Sequence, residues 1–325
     1  MNLKNIYEKW RKWDISTMRL LMQINLYANR TYNDMNQYPV FPWVFTDYKS
    51  ETFPIKYTEK IRPLGIPMGM LNISEETNER AKDYIRHWEI SHDEENDDDG
   101  DDENNYDRYG SHYITSLYVS YYLVRIFPFA NIRIELQGTS FDDPNRLFNA
   151  VDTSFDCSST QKSDLRELVP ELYCFPEILL NNNDFDMGEI KDNNDPNDDK
   201  MKLVQEVVVP KWCNYNPYLF IKKQRELLEC NEVSANINKW INLIFGSLQK
   251  GQEANKIHNL FAIQSYENYE KTYDELPVEE KDVSRRMLEF GITPNQVFKN
   301  DTSQRNVNVE KYIKNKLFYP VSYNK

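Results

Sequence analysis

Paired cysteines and long apolar runs are both missing from this sequence of 325 residues. Its four cysteines are widely separated and none belongs to a CxxC pair, so neither a disulfide framework nor a zinc ribbon is predicted. The sequence does not begin with a basic region followed by an apolar segment, and its most apolar stretch, residues 117–134, is interrupted by Arg125, Pro128 and Arg133. We therefore expect a soluble, cytoplasmic protein in a reducing compartment.

Recognisable catalytic motifs are missing too. The sequence contains neither a GxSxG nucleophile elbow nor a P-loop. Ser111 and His112 are the most catalytic-looking pair, but adjacent residues at a helix start point in different directions, whereas a nucleophile needs its base within reach. We expect Ser111 to cap a helix that runs to Phe127, and His112 to have a structural role. The sequence therefore predicts no catalytic residue, no cofactor-binding residue and no enzyme activity.

The spacing of acidic residues and histidines does not fit a metal site. If Gly100 were the turn glycine of a calcium-binding loop, position twelve of that loop would be Tyr106, which cannot supply the bidentate carboxylate. His87 and His92 are five residues apart, so they do not share one helical face as the histidines of a zinc-binding HExxH pair do. We therefore predict no metal ligands and no cofactor.

The net charge of −13 comes from two acidic runs. Residues 93–103 carry a charge of −9 and residues 184–199 carry −6, which leaves +2 for the rest of the chain. Both runs are rich in Asn and Asp and poor in apolar residues, so we predict disordered surface insertions at 93–105 and 182–200. The nearly neutral remainder favours neither nucleic acid nor an anionic bilayer as a partner, and we expect any membrane association to be peripheral and indirect.

Aromatic residues, by contrast, are abundant, and they are concentrated between residues 24 and 48. The segment INLYANRTYNDMNQYPVFPWVFTDY has neither helical spacing nor a sustained alternation, and Pro39 and Pro42 favour extended backbone. Each fully buried ring is worth roughly 2–3 kcal/mol of transfer free energy, so we predict that this extended chain is buried. Its polar side chains are expected to pair with the main-chain groups that no regular ladder satisfies.

The polar residues of this segment have two possible roles. In a functional role, Arg30 would offer bidentate donors to an anionic group of a peptide or lipid in an aromatic groove. In a structural role, Arg30 and Asp34 would tie extended segments together through buried hydrogen bonds, and we favour this role because so many backbone groups need partners. The candidate signature residues, which also serve as the candidate partner groove, are Trp10, Trp13, Asn25, Arg30, Tyr32, Asn33 and Asp34.

Helical patterns lie on both sides of the extended segment. Ile6, Trp10 and Trp13 have the spacing of a short first helix, and Ser16 or Thr17 is predicted to cap a second helix.

A later helix is predicted to start at Asn216 and Pro217, a capping residue followed by proline in the first turn. Gly246 is predicted to end the next helix in a left-handed conformation. The expected inner stripe of the helix that Asn216 caps comprises Phe220, Ile221, Gln224, Leu227 and Leu228.

A series of motifs runs through nearly the whole chain, from about residue 10 to 298. It begins with NRTYND and QYPVFPWVFTDY, and continues with RPLGIPMGML, YGSHYITSLYVSYYLVRIFPF, FDDPNRLF, DLRELVPELYCFPEILLN, VVVPKWC, KQRELLEC, INLIFGSLQKGQEA and LEFGITPNQVF. The series resembles, in the same order, the BEACH domain family found in neurobeachin and the lysosomal trafficking regulator. The number and order of the motifs are more specific than any single one of them.

The resemblance implies a mainly α fold with little β-sheet, in which extended, non-regular core segments are flanked by helices. It places a BEACH domain at residues 1–299, followed by a polar C-terminal tail at 300–325. The family usually has a small glycine where this chain has Asn29. Asn is the commonest substitute where left-handed backbone is needed, so we expect that conformation at Asn29.

The resemblance also implies a function. Family members are non-catalytic protein-interaction scaffolds that act in vesicle trafficking, lysosome and endosome dynamics or autophagy, which places the chain in the cytoplasm at the cytosolic face of vesicles or endolysosomes. In the family a PH-like domain precedes the BEACH domain and packs on it, and WD40 repeats usually follow; the sequence contains neither, so we expect an excised domain or a short family member. The alternatives are a structural subunit of a larger assembly and, more distantly, a cryptic hydrolase.

An exposed groove follows from the resemblance as a further expectation. Because a PH-like domain covers one face of family members, the isolated chain is expected to expose an apolar groove there. Trp10 and Trp13 are the candidate lining residues, since their rings exceed what one short helix can hide. The competing interpretation is that both tryptophans pack in the core.

Overall fold

The computed structural model describes residues 2–71, 109, 111–138, 140–161, 164–191, 201–261, 265–266 and 291–306. The predicted insertion at 93–105, both histidines of the metal analysis, and residues 307–325 of the predicted tail lie outside the described residues. The α-helices of the described residues are α1 (Leu3–Arg11), α2 (Thr17–Tyr27), α3 (Ser116–Tyr122), α4 (Phe129–Gln137), α5 (Val151–Thr160), α6 (Pro217–Leu228), α7 (Asn231–Phe245) and α8 (Gly251–Lys256).

Short 3₁₀ turns and one small sheet complete the described elements. The 3₁₀ turns are Met35–Gln37, Tyr57–Lys60, Met68–Met70, Pro144–Arg146, Pro170–Tyr173, Pro176–Leu179 and Lys211–Cys213. Strands β1 (Glu189–Lys191) and β2 (Met201–Leu203) pair antiparallel, with Ile190 opposite Lys202. The prediction of a mainly α fold with little β-sheet is confirmed.

Helices α2 and α6 begin where the sequence predicts. The Ser16 side chain accepts a hydrogen bond from the main-chain N–H of Arg19 at 2.9 Å, which satisfies one of the unpaired donors of the first turn of α2. Asn216 does the same for Leu219 at 3.1 Å, and Pro217 occupies the first turn of α6. The inner stripe of α6 is also confirmed, because all of its predicted members are buried: Phe220, Ile221, Gln224, Leu227 and Leu228.

The extended segment after α2 runs through the centre of the core. Residues 38–45 are buried, and their pairing consists of isolated bridges, Phe41 with Leu168 and Phe45 with Ile61. Asn29 adopts the expected left-handed conformation, with φ of 63°. The prediction of a buried, extended and non-regular core is therefore confirmed for residues 38–45. It is wrong for the start of the segment, because residues 24–27 belong to α2 and Leu26, Tyr27 and Tyr32 are exposed.

The predicted helix from Ser111 to Phe127 is wrong at both ends. Helix α3 begins at Ser116, because the Thr115 side chain and not Ser111 accepts from the N–H of the first turn. The helix ends at Tyr122, and after Pro128 the chain starts the separate helix α4.

Two predicted helix ends also differ from the structure. Trp13 lies outside α1 with a left-handed φ of 65°, so it does not continue the stripe of Ile6 and Trp10. Gly246 is extended, with φ of −129°, and not left-handed. Glycine is required there for a different reason, because a Cβ atom would lie 2.8 Å from the Cα atom of Asn242.

The chain is packed at two places where the sequence suggests solvated segments. Residues 182–191 of the predicted insertion at 182–200 include strand β1, and Met187 is buried in a small cluster with Val204. Residues 300–306 of the predicted tail lie against α1 and α7, where Arg305 is buried. The folded chain therefore extends to at least residue 306, and the acidic composition of residues 184–191 is misleading because apolar residues alternate with the acidic ones.

Candidate protein-interaction surface

Asn25 joins helix α2 to the extended segment. Its amide nitrogen donates to the main-chain carbonyls of Leu21 and Val40, both at 3.0 Å, and its amide oxygen accepts from the N–H of Val40 at 2.9 Å. Val40 thus has both of its main-chain groups paired by one side chain, as a neighbouring strand would pair them. Asn25 therefore contributes to the structure of the core.

Arg30 is a buried cation whose hydrogen bonds go to main-chain carbonyls. Its guanidinium donates to the carbonyls of Asn36 and Tyr38, at 3.5 and 3.4 Å, and to that of Ile292. Burial lowers the pKa of Arg30 to about 9, which the negative charge of Asp34 partly opposes. These contacts support the structural role for Arg30, since its donors bind carbonyls of two segments that are far apart in the chain, residues 36–38 and residue 292.

Asp34 and Asn33 shape the turn between Arg30 and the extended segment. The Asp34 carboxylate accepts from the N–H of Asn36 at 2.8 Å and from the side chain of Gln37 at 3.3 Å, so it caps a 3₁₀ turn. Asn33 is exposed, and its N–H donates to the Thr31 hydroxyl. Both residues therefore hold the turn that presents Tyr32.

Trp10 and Trp13 do not line an exposed groove, so that prediction is wrong. Trp10 is 0% exposed and Trp13 is 6% exposed. The Trp13 indole N–H donates to the carbonyl of Asn306 at 2.7 Å, and the Arg305 guanidinium lies 3.5 Å from the centre of the Trp13 ring. Residues 305 and 306 cover the tryptophans, and a helical stripe at the start of the chain gives no sign of this long-range contact.

Tyr32 belongs to an exposed surface beside the C-terminal half of α2. It is 46% exposed, and its hydroxyl donates to the Met22 sulfur at 3.2 Å. Its ring meets the buried Tyr38 ring edge-on, with centroids 5.4 Å apart. Leu26 lies one helical turn after Met22, on the same face of α2, and is 62% exposed.

The second side of this surface comes from residues that follow the 3₁₀ turn Pro170–Tyr173. Glu171 accepts a hydrogen bond from Tyr38, whose ring meets the Tyr32 ring, and Cys174 follows Glu171 three residues later. Burial raises the pKa of the Tyr32 hydroxyl, and the charges of Glu171 and Cys174 raise it further. Phe175 follows Cys174 and is 55% exposed. We define the Tyr32 patch as Met22, Leu26, Tyr32, Cys174 and Phe175.

Glu171 lies beneath the Tyr32 patch. It is 8% exposed, and one carboxylate oxygen accepts a hydrogen bond from the Tyr38 hydroxyl at 2.6 Å. The other oxygen, Oε2, has no hydrogen-bond partner among the described residues. Burial raises the pKa of the Glu171 carboxyl, and the bond from Tyr38 lowers it in part. The floor of the patch thus holds a buried acceptor that the described chain does not satisfy.

Comparison with known families identifies the architecture. The family model described as the Beige/BEACH domain matches residues 8–305. The chain belongs to the BEACH domain family.

Curated relatives agree with this membership. The BEACH domain is 37% identical over 297 residues to "Beige protein homolog 1" of Saccharomyces cerevisiae, a match that covers 90% of this chain and 13% of the relative. It is 36% identical over 302 residues to "BEACH domain-containing protein B" of Arabidopsis thaliana, covering 92% of this chain and 11% of the relative. The "Putative neurobeachin homolog" of Caenorhabditis briggsae is 35% identical over 290 residues, or 89% of this chain and 11% of the relative.

The relatives are much longer than this chain. Each of the three matches covers between 11% and 13% of the relative. In those proteins the BEACH domain therefore occurs together with a large amount of additional chain.

Ser111 and His112 have different surroundings in this BEACH domain. The Ser111 hydroxyl lies 3.3 Å from the Tyr118 hydroxyl, while the His112 ring is buried with its centroid 4.6 Å from that of Phe261. Burial lowers the pKa of His112 well below its usual value, and the positive charge of Arg30 lowers it further. The expected structural role of His112 fits this packing.

No group of three His, Cys, Asp or Glu side chains in the described ranges is arranged to hold a metal ion. Within the same ranges, every helix is too short or too polar to span a bilayer.

Sequence reasoning identified Tyr32 but missed the other members of the patch and Glu171 beneath it. Leu26 carried a usable signal, because an apolar residue outside the inner stripe of an amphipathic helix points to solvent. Glu171 carried one as well, since it is a single carboxylate within the apolar string LVPELY. Their proximity to Tyr32 depends on the fold and has no signal in the sequence.

Proposed function

We propose that this BEACH domain is a non-catalytic scaffold that binds protein partners at the Tyr32 patch. The observation that carries the proposal is that Leu26 and Tyr32, which both adjoin Met22, are 62% and 46% exposed, and that Phe175, the residue after Cys174, is 55% exposed. Each Å² of apolar area that a partner covers is worth about 25 cal/mol, so a protein surface that fits the patch gains free energy by binding there. The rings supply contact area at a low cost in conformational entropy.

The proposed context is vesicle trafficking, lysosome and endosome dynamics or autophagy, at the cytosolic face of vesicles or endolysosomes. This context rests on the family resemblance. The length of the relatives supports a domain that works beside other domains, and a PH-like domain is the first partner to test, with WD40 repeats as a further neighbour in longer proteins. The proposal includes neither a cofactor nor direct insertion into a membrane.

Calorimetric titration of the full chain with a PH-like domain from the same organism tests the proposal. Leu26→Asp places a charge in the patch and is expected to weaken binding at least tenfold. The matched control is Ile55→Asp, which introduces the same charge at a 99% exposed residue outside the patch and should leave the affinity unchanged. Binding by the unaltered chain should show a negative heat-capacity change, the signature of apolar burial.

Two results contradict the proposal. One is equal weakening by Leu26→Asp and Ile55→Asp, which indicates a general charge effect. The other is tight binding that Leu26→Asp leaves unchanged, because the partner then binds elsewhere. Thermal unfolding of both variants shows that each remains folded.

The non-catalytic part of the proposal has its own test. The unaltered chain and a His112→Asn variant are assayed with generic carboxylic-ester and phosphate-ester substrates. We expect equal background rates, because His112 is buried against Phe261 and is not paired with Ser111. Turnover by the unaltered chain that His112→Asn abolishes would instead favour a hydrolase.

A further inference from the structure

A buried carboxylate without a cation lies under the Tyr32 patch. Oε1 of Glu171 accepts from Tyr38, while Oε2 has no partner among the described residues. Buried carboxylates in folded proteins are normally paired with a cation or hydrogen-bonded at both oxygens, because desolvation of the charge is otherwise uncompensated. The site is therefore incomplete in the part of the chain that the structure describes.

Two arginines of neighbouring segments are used elsewhere. Arg30 donates to three main-chain carbonyls, including that of Tyr38. Arg225 donates to the carbonyl of Tyr173 at 3.4 Å and lies 3.9 Å from the carboxylate of Glu229. Neither guanidinium can turn to Glu171 without giving up these contacts, so neither of these two described arginines supplies a cation to Glu171.

We infer that the protein that covers the Tyr32 patch supplies one lysine or arginine side chain, which donates to Oε2 of Glu171. This inference rests on the proposed function and adds the chemistry of the partner. Long basic side chains suit the site because their methylene stems pack on apolar groups such as Leu26 and Tyr32 while the charged end reaches a polar group. A charge-assisted hydrogen bond in a site closed to water is also stronger than one in solvent.

The geometry sets two requirements for the partner segment. Apolar side chains must flank the basic residue, since the patch contributes the exposed apolar side chains of Leu26 and Phe175. A side chain above Oε2 must also move, because Oε2 is buried in the free chain. Tyr32 can move at low cost, since its hydroxyl is held only by the sulfur of Met22, a weak acceptor. The partner is thus a protein segment with one basic residue between apolar ones.

A displayed library of random twelve-residue peptides, selected on the full chain, tests the inference. Selected peptides are then measured against the unaltered chain, Leu26→Asp and Glu171→Gln. Glu171→Gln removes the charge but keeps an oxygen that can accept from Tyr38, and Glu177→Gln, at an exposed residue six positions later, is the matched control. Each basic residue of a peptide is also replaced by citrulline or norleucine, which have similar length and no charge.

The outcomes separate the inference from the proposed function. We expect the selected peptides to carry a Lys or Arg between apolar residues. Their affinity should fall tenfold or more with either Leu26→Asp or Glu171→Gln and should change little with Glu177→Gln. Replacement of the basic residue by its neutral analogue should lower the affinity of the peptide for the unaltered chain by the same factor. The same replacement should leave the affinity for Glu171→Gln unchanged. Peptides that depend on Leu26 but not on Glu171, whether or not they are basic, would overturn the inference and leave the proposed function standing. If no selected peptide depends on Leu26, both fail.

Discussion

Glu167 and Glu171 are four residues apart in the chain, both are buried, and their surroundings differ completely. Glu167 lies 2.7 Å from Arg62 in a pair whose side chains are 1% and 0% exposed, and it also accepts from the main-chain N–H of Trp43 and the indole N–H of Trp240. Glu171 accepts a hydrogen bond from Tyr38, and its Oε2 has no partner among the described residues. Donors of the described chain therefore satisfy both oxygens of the first carboxylate and one oxygen of the second.

Glu167 holds parts of the fold together, whereas Glu171 keeps one oxygen without a donor among the described residues. Glu167 connects the extended segment, through Trp43, to Arg62 and to helix α7, through Trp240. Donors of the chain itself bind both buried oxygens of Glu167. At Glu171 the described residues bind one oxygen, and that carboxylate lies beneath the exposed ring of Tyr32.

Removal of Arg62 is expected to have the largest effect. Arg62→Met leaves Glu167 buried beside two neutral donors but without its cation, and breaking a buried pair in this way costs roughly 3–5 kcal/mol of unfolding free energy. Urea unfolding followed by tryptophan fluorescence measures the loss. The control is Glu253→Gln, because the pair of Glu253 with Lys256 is exposed and worth less than about 1 kcal/mol. Equal effects of the two substitutions would show that the Glu167 site does not hold the core.

Removal of Arg30 is expected to have an intermediate effect. Arg30→Ala leaves the carbonyls of Asn36, Tyr38 and Ile292 without their donor and should cost about 1–3 kcal/mol. Urea unfolding and binding to a partner of the Tyr32 patch are measured on the same variant. Unchanged stability together with lost binding would reverse the structural assignment of Arg30 and favour its role as a partner-binding cation.

Replacement of Glu171 is expected to have a small effect that depends on pH. Burial raises the pKa of the folded Glu171 carboxyl above its unfolded value of about 4.3, so between the two pKa values the folded chain binds more protons than the unfolded chain. The contribution of Glu171 to the free energy of unfolding therefore falls as pH rises from the unfolded to the folded pKa, and it is constant at higher pH. Glu171→Gln removes the loss, and we expect the variant at pH 7 to be as stable as the unaltered chain or more stable by up to about 1 kcal/mol.

Urea midpoints of both proteins between pH 4 and pH 8 check this prediction. The difference between them should shrink toward pH 4, where the unaltered carboxyl is increasingly protonated in both states. Glu229 has a pKa that burial raises as well, but it is present in both proteins and cancels in the difference. A difference that is constant over the whole range would mean that Glu171 does not titrate with folding.

The sequence specified the helices of this fold better than its contacts. Asn216 and Pro217 predicted the start of α6 because capping is a local property of a few residues. The buried extended segment was predicted because its prolines and rings leave few other solutions. The position of Arg305 over Trp13 was missed, since the two residues are 292 positions apart and each is unremarkable in its own surroundings.

The candidate surface was predictable only in part, because local motifs are visible in the sequence and long-range contacts are not. Tyr32 was singled out because it lies in a conspicuous local motif, while Phe175 and Glu171 come from a segment about 140 positions later. The sequence left Trp10 and Trp13 with two interpretations, an exposed groove or the core, because spacing shows which face of a helix is apolar and not what covers that face. Only the folded chain shows that Glu167 meets Arg62 and that Oε2 of Glu171 lacks a partner among the described residues.

Substitution within the Tyr32 patch is expected to have the smallest effect on stability, and it gives the sharpest contrast with Glu167. Leu26 is 62% exposed at the end of α2, so Leu26→Asp removes little buried area and should change the unfolding free energy by no more than about 0.5 kcal/mol, as is usual for surface sites. Leu21→Ala, in a fully buried position of the same helix, should cost about 2–5 kcal/mol and shows that the assay can detect a loss in α2. If Leu26→Asp destabilises the chain as much as Leu21→Ala does, the patch is part of the core. If stability is kept while partner binding is lost, the two surroundings of Glu167 and Glu171 have separate roles, one in folding and the other in recognition.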